Sequence, residues 1–528
     1  MTSSVPSDVL GRRILCDTEY ATVRYAGSVP PTTGLWLGVE WDNPQRGKHN
    51  GSHEGIQYFK CSHPTGGSFI RPNKANFGVD FLTAVKNRYG LNDEQDVECE
   101  KENALVIGKK TVELVGFDSV IEQQSQLNKL VDISVSECAV SHAGQKEEIS
   151  RTCPNIRSIN LSKNLLPSWE KVTDIACQVQ NLESLDLSQN KMKFPSASII
   201  CTLSKLRVLA LNRTGVTWAE VLLCAPGWPA LEELYLASND IPVLERPINV
   251  LQTLKLLDLS NNQLIDGSQL QLIAYLPRLE QLILSNTGIS SIHFPDVGFG
   301  YKTKMFPLLQ RLAVDDNKIL QWSFINELDK LQRLQSLHCQ NNPLMGTEKN
   351  PETVRQLIIA KIGQLKVLNK SEIFPDERKG AELDYRKMFG NDWITAGGNQ
   401  NPDKDRPNRN FLPAHPRYQL LCLKYGAPEE GEFETENSLF ILKNQLLTLT
   451  IKCPDKPDQK PLEKKLPDSM TIQKVKGLLY RLLKIPGSEL KLSYESSKME
   501  GKEIELENDL KPLQFYSIEN GDSILVRW

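Results

Sequence analysis

Between Leu130 and Leu344 the chain repeats one pattern, L-x-x-L-x-L-x-x-N-x-L, seen plainly in NLESLDLSQNKM, TLKLLDLSNNQL and RLEQLILSNTGI. The Asn position is held by Cys138, Asn164, Asn190, Thr214, Asn239, Asn262, Thr287, Asn317 and Asn342, at intervals of 23 to 30 residues. Two positions further on stands an apolar residue each time: Val140, Leu166, Met192, Val216, Ile241, Leu264, Ile289, Ile319 and Leu344. Each unit supplies one short strand whose leucines point inward, and the Asn side chain bonds to backbone where the chain turns off the strand. No unit can bury its apolar face alone, so the units must stack. A solenoid follows.

The pattern resembles the leucine-rich repeat family, whose period is roughly 20–29 residues. The first unit, LVDISVSECAV, is degenerate, as a terminal repeat should be. The segment VRQLIIAKIGQLKVLNKSEIFPDERKGAELDYRKMF resembles the helical C-terminal cap of such solenoids. The longest interval carries an extra loop, DVGFGYKTK, at 296–304.

At 528 residues the chain is too long for one core. Composition breaks divide it into an all-β unit at 8–86, an acidic linker at 87–104 and an α/β solenoid with caps at 105–390. A flexible, Asn/Pro/Gly-rich linker at 391–437 and an α+β unit at 438–528 complete the expectation. A formal net charge of -3 gives no global basicity for nucleic acid or an anionic membrane. The start lacks a secretory layout and no apolar run is long enough to span a bilayer. Eleven cysteines lie scattered without a CxxC pair, which predicts reduced thiols and a cytoplasmic protein.

Residues 10–30 and 34–42 alternate apolar and polar positions between turns, as a small barrel would. The stretch GLWLGVEWDNPQRGKHNGSHEGIQYFKCSHPTGGSFIRP holds seven glycines, so many backbone positions need positive φ or close approach. Trp36, Trp41, Tyr58, Phe59 and Phe69 are interleaved with Lys48, Lys60 and Arg71. That layout suits a groove with apolar walls and a cationic end, made for an extended acidic peptide. The motifs GLWLGVEWD, GKHNG, YFKC and GGSFIRP, in this order, resemble the CAP-Gly family over about 75 residues. The resemblance implies recognition of a C-terminal tail ending in Glu-Glu-aromatic, as on α-tubulin. It also implies that Trp36 and Phe69 wall the groove, with Lys48 near the tail's charge and Arg71 as a further cation. His49 and Asn50 depart from the family's Asn and Asp, which predicts weaker binding or an altered preference.

In the last unit, LLTLTIKC, an amphipathic helix at 470–485, ELKLSYES and DSILVRW resemble the ubiquitin-like, β-grasp family. The helix repeats Ile472, Val475, Leu478, Leu479, Leu482 and Leu483 at helical spacing, which predicts a core face. The sequence stops at Trp528 and not at Gly-Gly, so conjugation through its end is not expected.

The sequence shows no phosphate loop, no HExxH and no GxSxG elbow, and Cys61 and His63 have no second pair to complete a metal site. No catalytic residue, cofactor or metal is expected. The order of the three modules resembles the tubulin-folding cofactors. That resemblance implies capture of α-tubulin, joining to β-tubulin held by partner cofactors, dissociation of the finished heterodimer, and a cytoskeleton-associated place. The rival readings are a microtubule plus-end scaffold and a proteasome adaptor acting through the ubiquitin-like unit. Finally, strand positions between the inward leucines face the concave side. There Val208, Tyr235, Leu256 and Ile283 form the apolar part, an expected grip for a folded protein such as the body of α-tubulin.

Overall fold

The computed structural model describes residues 5–89, 127–196, 203–348, 350–401, 403–428, 446–497, 501 and 503–528, together with short strands Val106–Ile107 and Lys110–Thr111. The acidic run at 92–102, most of residues 105–126 and residues 429–445 lie outside the described residues. One compact unit comprises Met1–Tyr385, Ala396–Gly398 and Asp403–Tyr425; the other comprises Arg386–Thr395, Asn399–Pro402 and Gly426–Trp528.

The first unit begins with an antiparallel sheet of Arg13–Cys16, Glu19–Gly27, Trp36–Trp41 and Gly67–Ile70. Alternation sends Ile14, Cys16, Ala21, Val23, Leu37, Val39 and Ile70 into one small core. A bulge then interrupts the alternation. Val23 pairs with Val39, but Tyr25 pairs with Gly38, so Arg24 is the extra residue and Tyr25 turns to the opposite face.

The solenoid sheet has eleven strands in sequence order, parallel except for the last pair, Val367–Leu368 with Ser371–Glu372. In the repeat strands the middle residue (Leu185, Leu209, Leu234, Leu257, Leu282) is buried and its neighbours are half-buried. The Asn side chains tie the stack. Asn190 Nδ2 donates to Leu161 O and Leu187 O, both at 2.9 Å, and its Oδ1 accepts from Asn164 N at 3.0 Å. Thr214 keeps the bond to its own turn, donating to Leu211 O at 2.8 Å, but cannot reach back as the amide does. The long interval folds onto the helical side: Thr303 donates to Asp296, and buried Lys330 joins Glu327 Oε1 at 2.9 Å and Phe294 O at 3.2 Å.

Both expected borders of the solenoid shift. Helix Phe81–Arg88 straddles the expected end of the N-terminal unit at 86, yet Phe81, Leu82, Ala84 and Val85 are buried in the solenoid's core. An amphipathic helix goes to whichever apolar surface is open, and the first repeat offers one. The linker expected at 391–437 is likewise not a free connector where it is described. Helices Gly390–Thr395, Phe411–Ala414 and Tyr418–Tyr425 form, and Asp403–Tyr425 packs with the first unit. Its apolar residues Phe411, Tyr418 and Leu421 are buried, and Arg417 reaches buried Glu382 at 2.9 Å. Lys424 and Tyr425 also bond Glu382, and burial's upward push on that carboxyl is outweighed, leaving its pKa at about 2.

In the second unit, five strands run in the order Leu462–Pro467, Leu446–Lys452, Ser523–Arg527, Lys491–Glu495 and Glu503–Glu505, with the central pair parallel. Helix Ile472–Leu483 buries Ile472, Val475 and Leu479 against this sheet. Leu482, expected in the core, is exposed at the far side of the apolar stripe. Among the described residues Cys16, Cys61, Cys138, Cys153, Cys224, Cys339 and Cys453 are unbridged, but Cys177 is disulfide-bonded, against the expectation of reduced thiols throughout. Among the described residues no helix is long and apolar enough to cross a membrane.

Candidate peptide groove and strand face

Register builds the barrel's outer face. Leu37 pairs with Ile70 toward the core and Gly38 with Phe69 away from it. Trp36 and Arg71, one step further along the two strands, share that outer side. Phe69 is its hub. Its ring lies 5.1 Å from His49, 5.4 Å from Tyr58, 5.5 Å from Phe59, 6.2 Å from His53 and 6.3 Å from Tyr25, centroid to centroid. Most of these contacts are edge-on, the arrangement that aromatic quadrupoles favour. Gly38 leaves the space this cluster fills, because a Cβ there would stand 2.4 Å from Phe59 Cε1.

The GKHNG loop is held to the sheet by backbone. Lys48 N and His49 N donate to Gly67 O at 2.7 and 3.2 Å, and Gly67 N donates to His49 O at 2.7 Å. Gly51 closes the loop at φ +98, with Phe59 O directly beneath it. His49 Nδ1 accepts from Gly51 N at 3.0 Å, so its ring proton sits on Nε2. Burial first, then His53 and Lys48, push the pKa of His49 below its ordinary value, which keeps the ring neutral. Asn50 turns inward to its own loop, its Oδ1 accepting from Ser52 N at 3.3 Å and Ser52 Oγ at 2.7 Å. Lys48 is exposed and makes no ion pair among the described residues, so its ammonium can meet an incoming carboxylate.

Arg71 does different work from a free cation. Its guanidinium carbon stacks 3.8 Å above the Trp36 ring while Nη1 donates to Thr33 O and Leu35 O at 2.9 and 3.3 Å. Trp36 Nε1 in turn donates to Thr32 Oγ1 at 2.7 Å. Arg71 therefore fixes the turn that presents Trp36. On the interior strand Trp36–Trp41, Glu40 accepts from Ser62 N at 2.7 Å and from Arg24 at 2.8 Å. Burial alone would raise that carboxyl, but the Ser62 and Arg24 bonds outweigh it and hold it low.

Phe69, His49, Trp36 and Arg71 thus share one face, with Lys48 and Asn50 on its bordering loop. Tyr25 and His53 were not anticipated. Tyr25 reaches the face only through the bulge, and His53 has no signal beyond its nearness to the GKHNG loop.

On the solenoid, two columns of strand residues run in register: Ser184, Val208, Glu233, Leu256 and Gln281, and beside them Asp186, Ala210, Tyr235, Asp258 and Ile283. Val208, Ala210, Tyr235 and Leu256 make a diagonal apolar seam, with Ile283 one strand beyond. The seam is half-buried where an exposed patch was expected, because neighbouring strands stand one residue-width apart. It is also crossed by polar groups: the Tyr235 hydroxyl donates to Glu233 Oε2 at 2.8 Å. Burial and then Glu233 push the Tyr235 pKa up to about 12. Among the described residues, no group of three His, Cys, Asp or Glu side chains could hold a metal ion.

Three domain families match the sequence: the CAP-Gly domain at residues 10–75, a leucine-rich repeat at 229–395 and a ubiquitin-like domain at 446–527. Tubulin-specific chaperone E of Bos taurus is 67% identical over 530 residues, covering 100% of each chain. The Homo sapiens protein of that name is 65% identical over 529 residues, again covering 100% of each chain. The Drosophila melanogaster one is 31% identical over 532 residues, covering 98% of each. The solution structure of the C-terminal ubiquitin-like domain of mouse tubulin-specific chaperone e is 76% identical, covers 16% of this chain and 87% of that one, and has a TM-score of 0.16. Sharing two thirds of its residues with such a relative from end to end, the chain belongs to the tubulin-specific chaperone E family.

Proposed function

We propose that this chain is a non-catalytic tubulin-folding cofactor that holds α-tubulin in two places. The ring-lined face of the barrel takes the acidic tail, and the strand face of the solenoid takes the folded body. The observation that carries this reading is the barrel face itself: five rings gathered on Phe69, bordered by a lysine that makes no ion pair among the described residues. Such a face stacks an aromatic chain end and offers a charge-assisted contact to a carboxylate. The names of the relatives support tubulin as the client. Two weak contacts to one client multiply through effective concentration, which gives the cofactor purchase on a finished heterodimer. The ubiquitin-like unit presents a surface to a partner cofactor carrying β-tubulin or to the proteasome, and the whole acts in the cytoplasm on soluble tubulin.

The test mixes purified chain with native αβ-tubulin and asks whether α-tubulin leaves bound to it. Tyr235→Asp with Leu256→Asp should abolish heterodimer dissociation while tail-peptide binding and cooperative unfolding stay as in wild type. Dissociation at the wild-type rate by the folded double variant would remove the strand face from the reading. Co-sedimentation with polymerised microtubules would favour a plus-end scaffold instead.

A further inference from the structure

Described residues of the barrel pack directly against the solenoid. Strand Val79–Asp80 leaves the barrel and pairs in parallel with Val140–His142 of the first repeat. Asp80 then caps helix Phe81–Arg88, its Oδ1 accepting from Thr83 N at 2.9 Å, and four residues of that helix are buried in the solenoid core. The Tyr89 hydroxyl accepts from Ser134 N at 2.9 Å. Gly78 makes the turn between barrel and strand: its φ is +86, and a Cβ there would stand 2.4 Å from Ala139 O.

A second line of contact runs along the turns that follow the repeat strands. The Tyr20 hydroxyl donates to Lys163 O at 3.2 Å, and the Lys191 ammonium lies 3.7 Å from Asp42. Lys163 and Lys191 flank Asn164 and Asn190, where strands Ser158–Asn160 and Ser184–Asp186 end. The barrel is therefore braced at two separate places on the solenoid.

We propose that the barrel face and the solenoid strand face form one rigid clamp, built for a single client that carries a flexible acidic tail beside its folded body. This rests on the two-site reading above and adds that the protein contributes no slack between the sites. With the junction fixed, the client's tail alone sets the effective concentration at the second site.

The test uses full-length Gly78→Val, measured three ways against wild type. Hydrogen exchange across 79–88 and 140–142 should accelerate as the junction opens. Affinity for a peptide ending in Glu-Glu-Tyr should stay unchanged, while affinity for intact αβ-tubulin falls at least tenfold. An opened junction with unchanged affinity for intact tubulin overturns the clamp, as does exchange that stays at the wild-type rate. If Gly78→Val loses peptide binding, its barrel is damaged, and the surface pair Tyr20→Phe with Lys191→Glu carries the same criteria. Failure of the wild type to bind the peptide would instead strike the tail reading itself, and is seen before any variant is made.

Discussion

The barrel face and the solenoid face are built on opposite principles. The barrel face depends on exceptions: a bulge that turns Tyr25 outward, glycines with no room for a Cβ, and one phenylalanine on which five rings converge. The solenoid face depends on repetition, in which a buried leucine recurs in the repeat strands and the same Asn bonds recur wherever Asn ends the strand. Exceptions give a precisely shaped face but leave no redundancy. Repetition gives a broad surface whose outward residues vary freely, since the inward ones hold the fold. Thr214 shows the tolerance: it stands where Asn is usual, keeps the bond to Leu211 O, and its repeat pairs in register like the others.

The sharpest break of this contrast is a pair of substitutions followed by urea unfolding. Gly51→Val places a β-branched residue at φ +98 with Phe59 O 2.1 Å from its Cβ. A left-handed side chain and overpacking together predict a loss of about 3 kcal/mol or more, confined to the barrel. Asn190→Ala removes three buried hydrogen bonds and is expected to cost about 2 kcal/mol in the solenoid. A larger loss for Asn190→Ala than for Gly51→Val would reverse the contrast.

A smaller effect separates binding from folding. Lys48→Ala should lower affinity for the acidic tail peptide about fivefold, roughly 1 kcal/mol for a partly exposed charge-assisted contact. The residual affinity should depend less on salt, and unfolding should not move. Titration by fluorescence anisotropy at two ionic strengths reads both quantities. Equal affinity for wild type and variant would take Lys48 out of the groove.

A pH-dependent effect lies at the solenoid's far end. Lys361 is buried with Asn326 Oδ1 at 3.0 Å, Tyr385 OH at 3.2 Å and Ala414 O at 2.8 Å, and the Tyr385 hydroxyl meets His415. Burial pulls the Lys361 pKa down to about 7 from its ordinary 10.5. Between those values the unfolded chain binds more protons than the folded one, so this lysine makes stability rise with pH. Its contribution is fully present above 10.5 and is lost as pH falls toward 7. Unfolding midpoints at pH 7 and pH 9 should therefore differ more for wild type than for Lys361→Met. An identical pH response would show that the ammonium is not desolvated in the cap.

Sequence reading reached unequal depths in these regions. The repeat period placed Val208, Tyr235, Leu256 and Ile283 on the outward side of their strands, because residues beside an inward leucine must point the other way. It did not reveal that close strand spacing half-buries them, or that Glu233 takes the Tyr235 hydroxyl. The glycine-rich motifs point to Trp36, Lys48, His49 and Phe69 as neighbours, but not to Arg71 as the clamp on the Trp36 turn.

What the sequence determined by itself was local and periodic: the solenoid, the β-grasp unit, the glycine loop and their order. Each rests on a pattern read within about 25 residues, where burial in one's own unit dictates residue type. Only the tertiary structure decided that Tyr25 turns outward, that helix Phe81–Arg88 leaves the barrel for the solenoid, and that Asp403–Tyr425 folds back onto the first unit. An amphipathic helix or an Asn/Pro-rich strap states that it has an apolar side, not which surface will cover it. That choice is made by apolar area and hydrogen-bond partners supplied from distant parts of the chain, as Arg417 and Lys424 find Glu382 across 35 and 42 residues.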